Sequence, residues 1–178
     1  MELVHNCNAN GDSGLYAFVD ASYATHSDMK GHTGALILDE LMNLFYSSSN
    51  KQKLMGKSST DAEIIGAHST INTIKSLKAL QDELTEGKGP VILFQDNLSA
   101  KYVMEHGDST SDKSKHMKVR YFYIKEKVDD KIVEIRYRQT EKIWAGMLTK
   151  PITNKKTFAL MRSVIMNFQP GDKYYFEQ

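Results

Sequence analysis

The chain has 178 residues, is 40% hydrophobic and 25% charged, and carries a formal net charge of +1. This composition fits one ordinary globular domain long enough to bury a core, and it excludes a polycation that binds nucleic acid by bulk charge alone. The lone cysteine, Cys7, admits no internal disulfide and fits a reducing compartment; no apolar run approaches the ~20 residues of a membrane span, and MELVHNCNAN lacks a signal-peptide start, so an intracellular location is expected.

In chain order, residues 1–14 include the turn-rich NCNANGDSG and read as a flexible entry; QPGDKYYFEQ (169–178) reads as a tail. Between them, 15–168 is one domain with no internal repeat. LYAFV (15–19) is predicted as a strand that runs into Asp20. GALIL (34–38) and LFYSSS (44–49) are two more strands across the short turn DELMN, which makes an antiparallel meander. From Thr60 the period changes: Ile64, Ala67, Ile71, Ile74, Leu77, Leu80 and Leu84 form one apolar stripe on a long helix that ends near EGKGP. VILFQ (91–95) is nearly all apolar, as expected of a central strand covered on both faces, and it stops abruptly at Asp96. A helix over Asn97–Glu105, the polar loop SDKSKH, a helix over HMKVRYFYIKEKV and a strand over KIVEIRYR (131–138) follow. TEKIWAGMLTK is predicted as a short helix stopped by Pro151, and a last helix spans Lys155–Asn167.

A strand, a helical crossover and a further strand favour parallel pairing with a right-handed connection. The first strand can then lie beside 91–95, with 34–49 on one flank and 131–138 on the other. In open sheets sites form outside the carboxyl ends of strands at such a reversal of order, and Asp20 and Asp96 end these two strands. A third acid, Glu63, lies near the start of the long helix. Each has a structural alternative: Asp96 as the N-cap of the next helix, and Glu63 as the far end of a capping box on Thr60. Three carboxylates brought together repel one another unless cations neutralise them, and an all-oxygen donor set suits Mg²⁺ or Mn²⁺ rather than zinc. Several other signals are weak. GKS at 56–58 lacks the upstream glycine of a phosphate loop, His5 and Cys7 have no second ligand pair, Asn97-Leu98-Ser99 is a glycosylation triplet without meaning in a cytosolic chain, and YFY at 121–123 reads as core packing.

The stretches FVDASYATHSDMKGHTGALI, SSSNKQKLMGKSSTDAEIIG, QDNLSAKYVMEHG, SKHMKVRYFYIKEKV and AGMLTKPITNKKTF, in that order, resemble the ribonuclease H domain of a copia-type LTR retrotransposon polyprotein. The resemblance covers about Leu15 to Asn167. It implies an RNase H-like α/β fold, a five-stranded mixed sheet in order 3-2-1-4-5 with helices on both faces. It implies two-metal hydrolysis, with Mg²⁺ or Mn²⁺, of the RNA strand of an RNA–DNA hybrid, beside a reverse transcriptase domain of the same polyprotein and in a cytoplasmic virus-like particle if the element is active. Asp20, Glu63 and Asp96 match the first three acids of the family's four-carboxylate site. Gly146 stands at the position of the fourth Asp. Glu141 and Asp112 are the candidates to replace it, and the loop YRQTEKIW has no histidine where some relatives carry one. Substrate contacts are expected from Ser22, Asn97 and Ser99, which serve equally as turn or cap residues. Between Lys113 and Arg138 nine Lys/Arg face four Asp/Glu, and Lys115, His116, Lys118 and Arg120 are candidates to track phosphates, with Lys51 and Lys53 weaker ones. Two readings therefore stand: a hybrid-cleaving nuclease, impaired to the extent that Gly146 weakens it, and a non-catalytic module that binds hybrid or supports a reverse transcriptase.

Overall fold

In the computed structural model, which describes residues 14–40, 42–84, 89–107 and 115–166, five strands form one sheet in the order β3-β2-β1-β4-β5. The strands are β1 (Leu15–Ser22), β2 (His32–Asp39), β3 (Leu44–Lys51), β4 (Val91–Gln95) and β5 (Val133–Tyr137); the helices are α1 (Ser59–Leu84), α2 (Leu98–His106), α3 (Lys115–Asp129) and α4 (Lys155–Met166). β1, β2 and β3 pair antiparallel, while β1–β4 and β4–β5 pair parallel. This is the expected mixed sheet. The predicted entry and tail, His5, Cys7 and Asp112 lie outside the described residues.

Alternation on β1 supplies both cores. Ala17 and Val19 face α1 and pack with Ile64, Ala67, Ile71 and Ile74; Phe18 faces the other side, with Phe94, Trp144, Met161 and Ile165. All five residues of β4 are buried, which explains its unbroken apolar run. Gly66 lets α1 approach closely, since a Cβ there would lie 3.2 Å from Thr33 Cγ2 and 3.3 Å from Val19 Cγ1. The stripe of α1 is buried only in its first half. Leu80 and Leu84 are 50% and 75% exposed among the described residues.

The helix expected over TEKIWAGMLTK is two 3-10 turns instead, Thr140–Lys142 and Trp144–Leu148, separated by Ile143 in an extended conformation. Ile143, Trp144, Ala145 and Gly146 are all buried. Four successive inward residues exceed what the single apolar face of a short amphipathic helix supplies. The tighter turns close with Gly146 N–H donating to Ile143 O at 3.0 Å. Among the described residues no helix is long and apolar enough to cross a membrane.

Candidate active site

The register of the parallel pair sets the site. Phe18 is aligned with Phe94, so Asp20 and Asp96, two residues further on, reach the same level at the carboxyl ends of neighbouring strands. Glu63 comes from the second turn of α1. Each acid offers an oxygen within 4.8 Å of the others, and Asp20 and Glu63 are 3% and 5% exposed.

Glu63 is fixed at both oxygens: Ala21 N–H donates to Oε1 at 3.1 Å and Gln95 Nε2 donates to Oε2 at 3.3 Å. Gln95 Oε1 in turn accepts from the backbone N–H groups of Asp96 (2.8 Å) and Asn97 (3.0 Å). One wholly buried amide therefore orients Glu63 and the turn carrying Asp96 together. Capping is done by other residues than expected. Asn97, not Asp96, is the N-cap of α2 and accepts from Ala100 N–H at 2.9 Å. At α1, Ser58 Oγ accepts from Asp61 N–H and Asp61 Oδ2 accepts from Lys57 N–H, so Glu63 plays no part in a capping box. Asp96 and Glu63 are left to face the cleft.

The Thr149 hydroxyl donates to Asp20 Oδ2. Burial raises the Asp20 pKa above the usual carboxylate range, opposed by the Thr149 hydrogen bond and the Lys150 charge and reinforced by Asp96. Burial likewise pushes Glu63 well above its ordinary value, and the charges of Asp20 and Asp96 add to the effect. Stacked negative charge in a partly dry site is relieved by a hard cation, and an all-carboxylate donor set fits Mg²⁺ or Mn²⁺.

Gly146 is buried on the Asp20 side of this cluster. A Cβ built on it would meet Asp20 Oδ2 at 3.8 Å and Cγ at 4.0 Å, and nothing closer. Position 146 thus faces the carboxylates but brings no donor. Glu141 is exposed and stands outside the three-acid group.

The cleft over the acids is about 450 Å³, and Asn97, Ser99, Tyr137 and Lys150 also line it. Ser22 is instead hydrogen-bonded to Thr25 at 3.0 Å. Lys115, His116 and Lys118 are exposed on the first turn of α3. Arg120 joins Lys51, Lys53 and His68 in a separate cleft of about 400 Å³ between β3 and α1. The residues that sequence reasoning missed are Gln95, Thr149, Lys150 and Tyr137. Gln95 had a signal, since an amide closing an apolar strand needs partners once buried. Thr149 had none, because its partner is 129 positions away.

Fold and cleft together define a protein with the ribonuclease H fold. LC11-RNase H1, isolated from compost by a metagenomic approach, matches with a TM-score of 0.57 at 18% identity over 76% of this chain and 92% of its own; its complex with an RNA/DNA hybrid matches at 0.56 and 17%. No protein-family model matches the chain. Its sequence relatives include the retrovirus-related Pol polyprotein from transposon TNT 1-94 of Nicotiana tabacum, 30% identical over 164 residues that make up 89% of this chain and 12% of that protein. The corresponding polyprotein from transposon RE2 of Arabidopsis thaliana is 28% identical over 140 residues, 78% of this chain and 10% of its own length. The resemblance to the ribonuclease H domain of copia-type retrotransposon polyproteins is borne out, and the chain spans about a tenth of the relatives it matches.

Proposed function

We propose that this chain is a ribonuclease H that cleaves the RNA strand of RNA–DNA hybrids, working beside a reverse transcriptase domain of a longer polyprotein. The observation that carries the reading is the convergence of Asp20, Glu63 and Asp96 at the carboxyl ends of two parallel strands. Divalent ions bound there would activate the attacking water and stabilise the leaving 3′ oxygen. Asp20, Glu63 and Asp96 would hold the divalent ions, Asp20 from the side of position 146. With no side chain at 146, a second ion would have fewer protein ligands than the first. Gln95 keeps Glu63 and Asp96 in fixed orientation, and Thr149 does the same for Asp20. Asn97 and Ser99, at the cleft wall, are placed to meet the sugar–phosphate backbone and the 2′-hydroxyls that mark an RNA strand.

Gly146 favours a second reading, a non-catalytic module that binds hybrid. The two separate in an assay of the purified chain with Mg²⁺ or Mn²⁺ on an RNA–DNA hybrid, with single-stranded RNA and duplex DNA as controls. A ribonuclease H cleaves the hybrid alone, with Mn²⁺ stimulating more than Mg²⁺, and Asp96→Asn abolishes the activity. No cleavage by either the chain or its Gly146→Asp variant, with hybrid binding intact, assigns the module.

A further inference from the structure

Lys150 is the one cation among the described residues lining the acid cleft. Its backbone N–H reaches Gly146 O at 3.4 Å. That bond closes one turn of chain between the two residues, and the Lys150 charge acts on Asp20. A side chain at 146 would start 3.8 Å from Asp20 Oδ2. Lys150 therefore stands at the wall of the cleft that holds Asp20, one closed turn of chain from position 146. Thr149, immediately before it, is buried and tied to Asp20, so the backbone at Lys150 is anchored while its side chain is exposed and free to extend. The charges are consistent with this placement. Three carboxylates carry −3; one divalent cation and one ammonium carry +3.

We infer that Lys150 is a substrate-binding residue of this cleft: its ammonium takes a non-bridging oxygen of the scissile phosphate on the Gly146 side, where a fourth carboxylate would otherwise hold a divalent ion. The inference rests on the ribonuclease reading for the identity of the phosphate and on cleft geometry for the position of the charge. A lysine suits the role as a compact point charge on a flexible stem, which follows a phosphate oxygen without the fixed geometry of a metal. One divalent ion held by the three acids and one ammonium would then share the charge of the phosphate.

Lys150→Met keeps the aliphatic stem and removes the charge; Lys150→Arg keeps the charge. Both variants are made in the full chain. Lys150 is exposed, so both are expected to melt with the parent. Two readouts apart from turnover test the inference. Binding of an RNA–DNA hybrid is measured in EDTA across a salt series. Lys150→Met should lower the slope of log affinity against log salt by about 0.7–0.9, the loss of one phosphate contact, while Lys150→Arg holds the parent slope. Mn²⁺ titration without nucleic acid, at low ionic strength, should show Lys150→Met binding the ion about fivefold more tightly, the order of effect of removing a unit charge from the neighbourhood of a divalent ion. A Lys150→Met chain with the parent's salt slope and Mn²⁺ affinity overturns the inference, including when the parent cleaves hybrid normally. A parent that shows both Lys150 effects and binds hybrid yet cleaves nothing overturns the ribonuclease reading alone and keeps Lys150 as a phosphate contact.

Discussion

Restoring a carboxylate at position 146 should change stability and catalysis in opposite directions. A Cβ there meets only Asp20 Oδ2 at 3.8 Å and Cγ at 4.0 Å, ordinary contact distances, and the backbone of Gly146 is not left-handed. Gly146→Asp is therefore sterically admitted, and its effects are those of charge. Two unit charges about 4 Å apart repel by about 1 kcal/mol in water and about 4 kcal/mol at the effective dielectric of a protein surface. Pairing of the new acid with Lys150 offsets part of this, as does the gain of about 0.4–1 kcal/mol from replacing a glycine at a compatible backbone. The metal-free Gly146→Asp protein should lose about 1–2 kcal/mol of stability. With Mn²⁺ or Mg²⁺ present the fourth carboxylate becomes a ligand, so the loss should vanish or reverse. Hybrid cleavage in Mg²⁺ should rise tenfold or more, about 1.4 kcal/mol of barrier. Gly146→Ala is the control: it fills the same space without charge and should stabilise slightly with no gain in rate. Thermal melting with and without Mn²⁺ and a hybrid-cleavage time course read all of this. Robust Mg²⁺-dependent cleavage by the parent, unchanged by Gly146→Asp, would show that another group supplies the fourth ligand and refute the reasoning.

The raised pKa of Glu63 gives the metal-free protein a pH dependence of known sign. Above the ordinary glutamate value the native state holds a proton that the unfolded chain has released, so the contribution of Glu63 to stability is full below about 4.3 and is lost as pH rises toward the raised native value. Mn²⁺ should flatten that fall, because it favours the ionised cluster; melting curves across pH, with Mn²⁺ and with EDTA, check it. Arg138 offers a test away from the cleft. It is 2% exposed, lies 4.6 Å over the Phe94 ring and 5.5 Å from that of Trp144, and its Nε and Nη1 have no acceptor among the described residues. Arg138→Met should keep the packing and remove a poorly compensated buried charge, raising stability by about 1–2 kcal/mol in urea unfolding.

What the sequence disclosed follows from how far each signal travels along the chain. The β4 run and the first turns of α1 are local patterns, and they appear where periodicity placed them. Asp20, Glu63 and Asp96 were legible because each interrupts or follows such a pattern, and the strand register then carries two of them together. The roles within a turn were less legible. Asp96 and Asn97 are both good caps, and sequence had no means of ranking them; in the fold Asn97 Oδ1 accepts the capping bond from Ala100 N–H while Asp96 lines the cleft. The 3-10 turns near Trp144 were hidden because helical spacing alone cannot report four consecutive buried residues. Thr149 and Lys150 could be placed only once the far end of the chain was seen against β1.

The bond from Thr149 to Asp20 spans 129 positions, and this bears on the order in which the molecule assembles. Contacts within β1, β2 and β3 close short loops, and the β1–β4–β5 ladder closes longer ones; all of it is complete by Tyr137. The segment that brings Thr149 and Lys150 forms no part of that ladder, and its contact with β1 closes a loop far longer than those of the meander, at a larger cost in chain entropy. It pairs with no strand, so its release would leave the backbone ladder in place while removing Trp144 from Phe18. The acids would then remain together with Asp20 stripped of its hydroxyl partner and the nearby ammonium gone. The carboxylate platform is thus complete only with a turn that the sheet's own ladder does not hold in place.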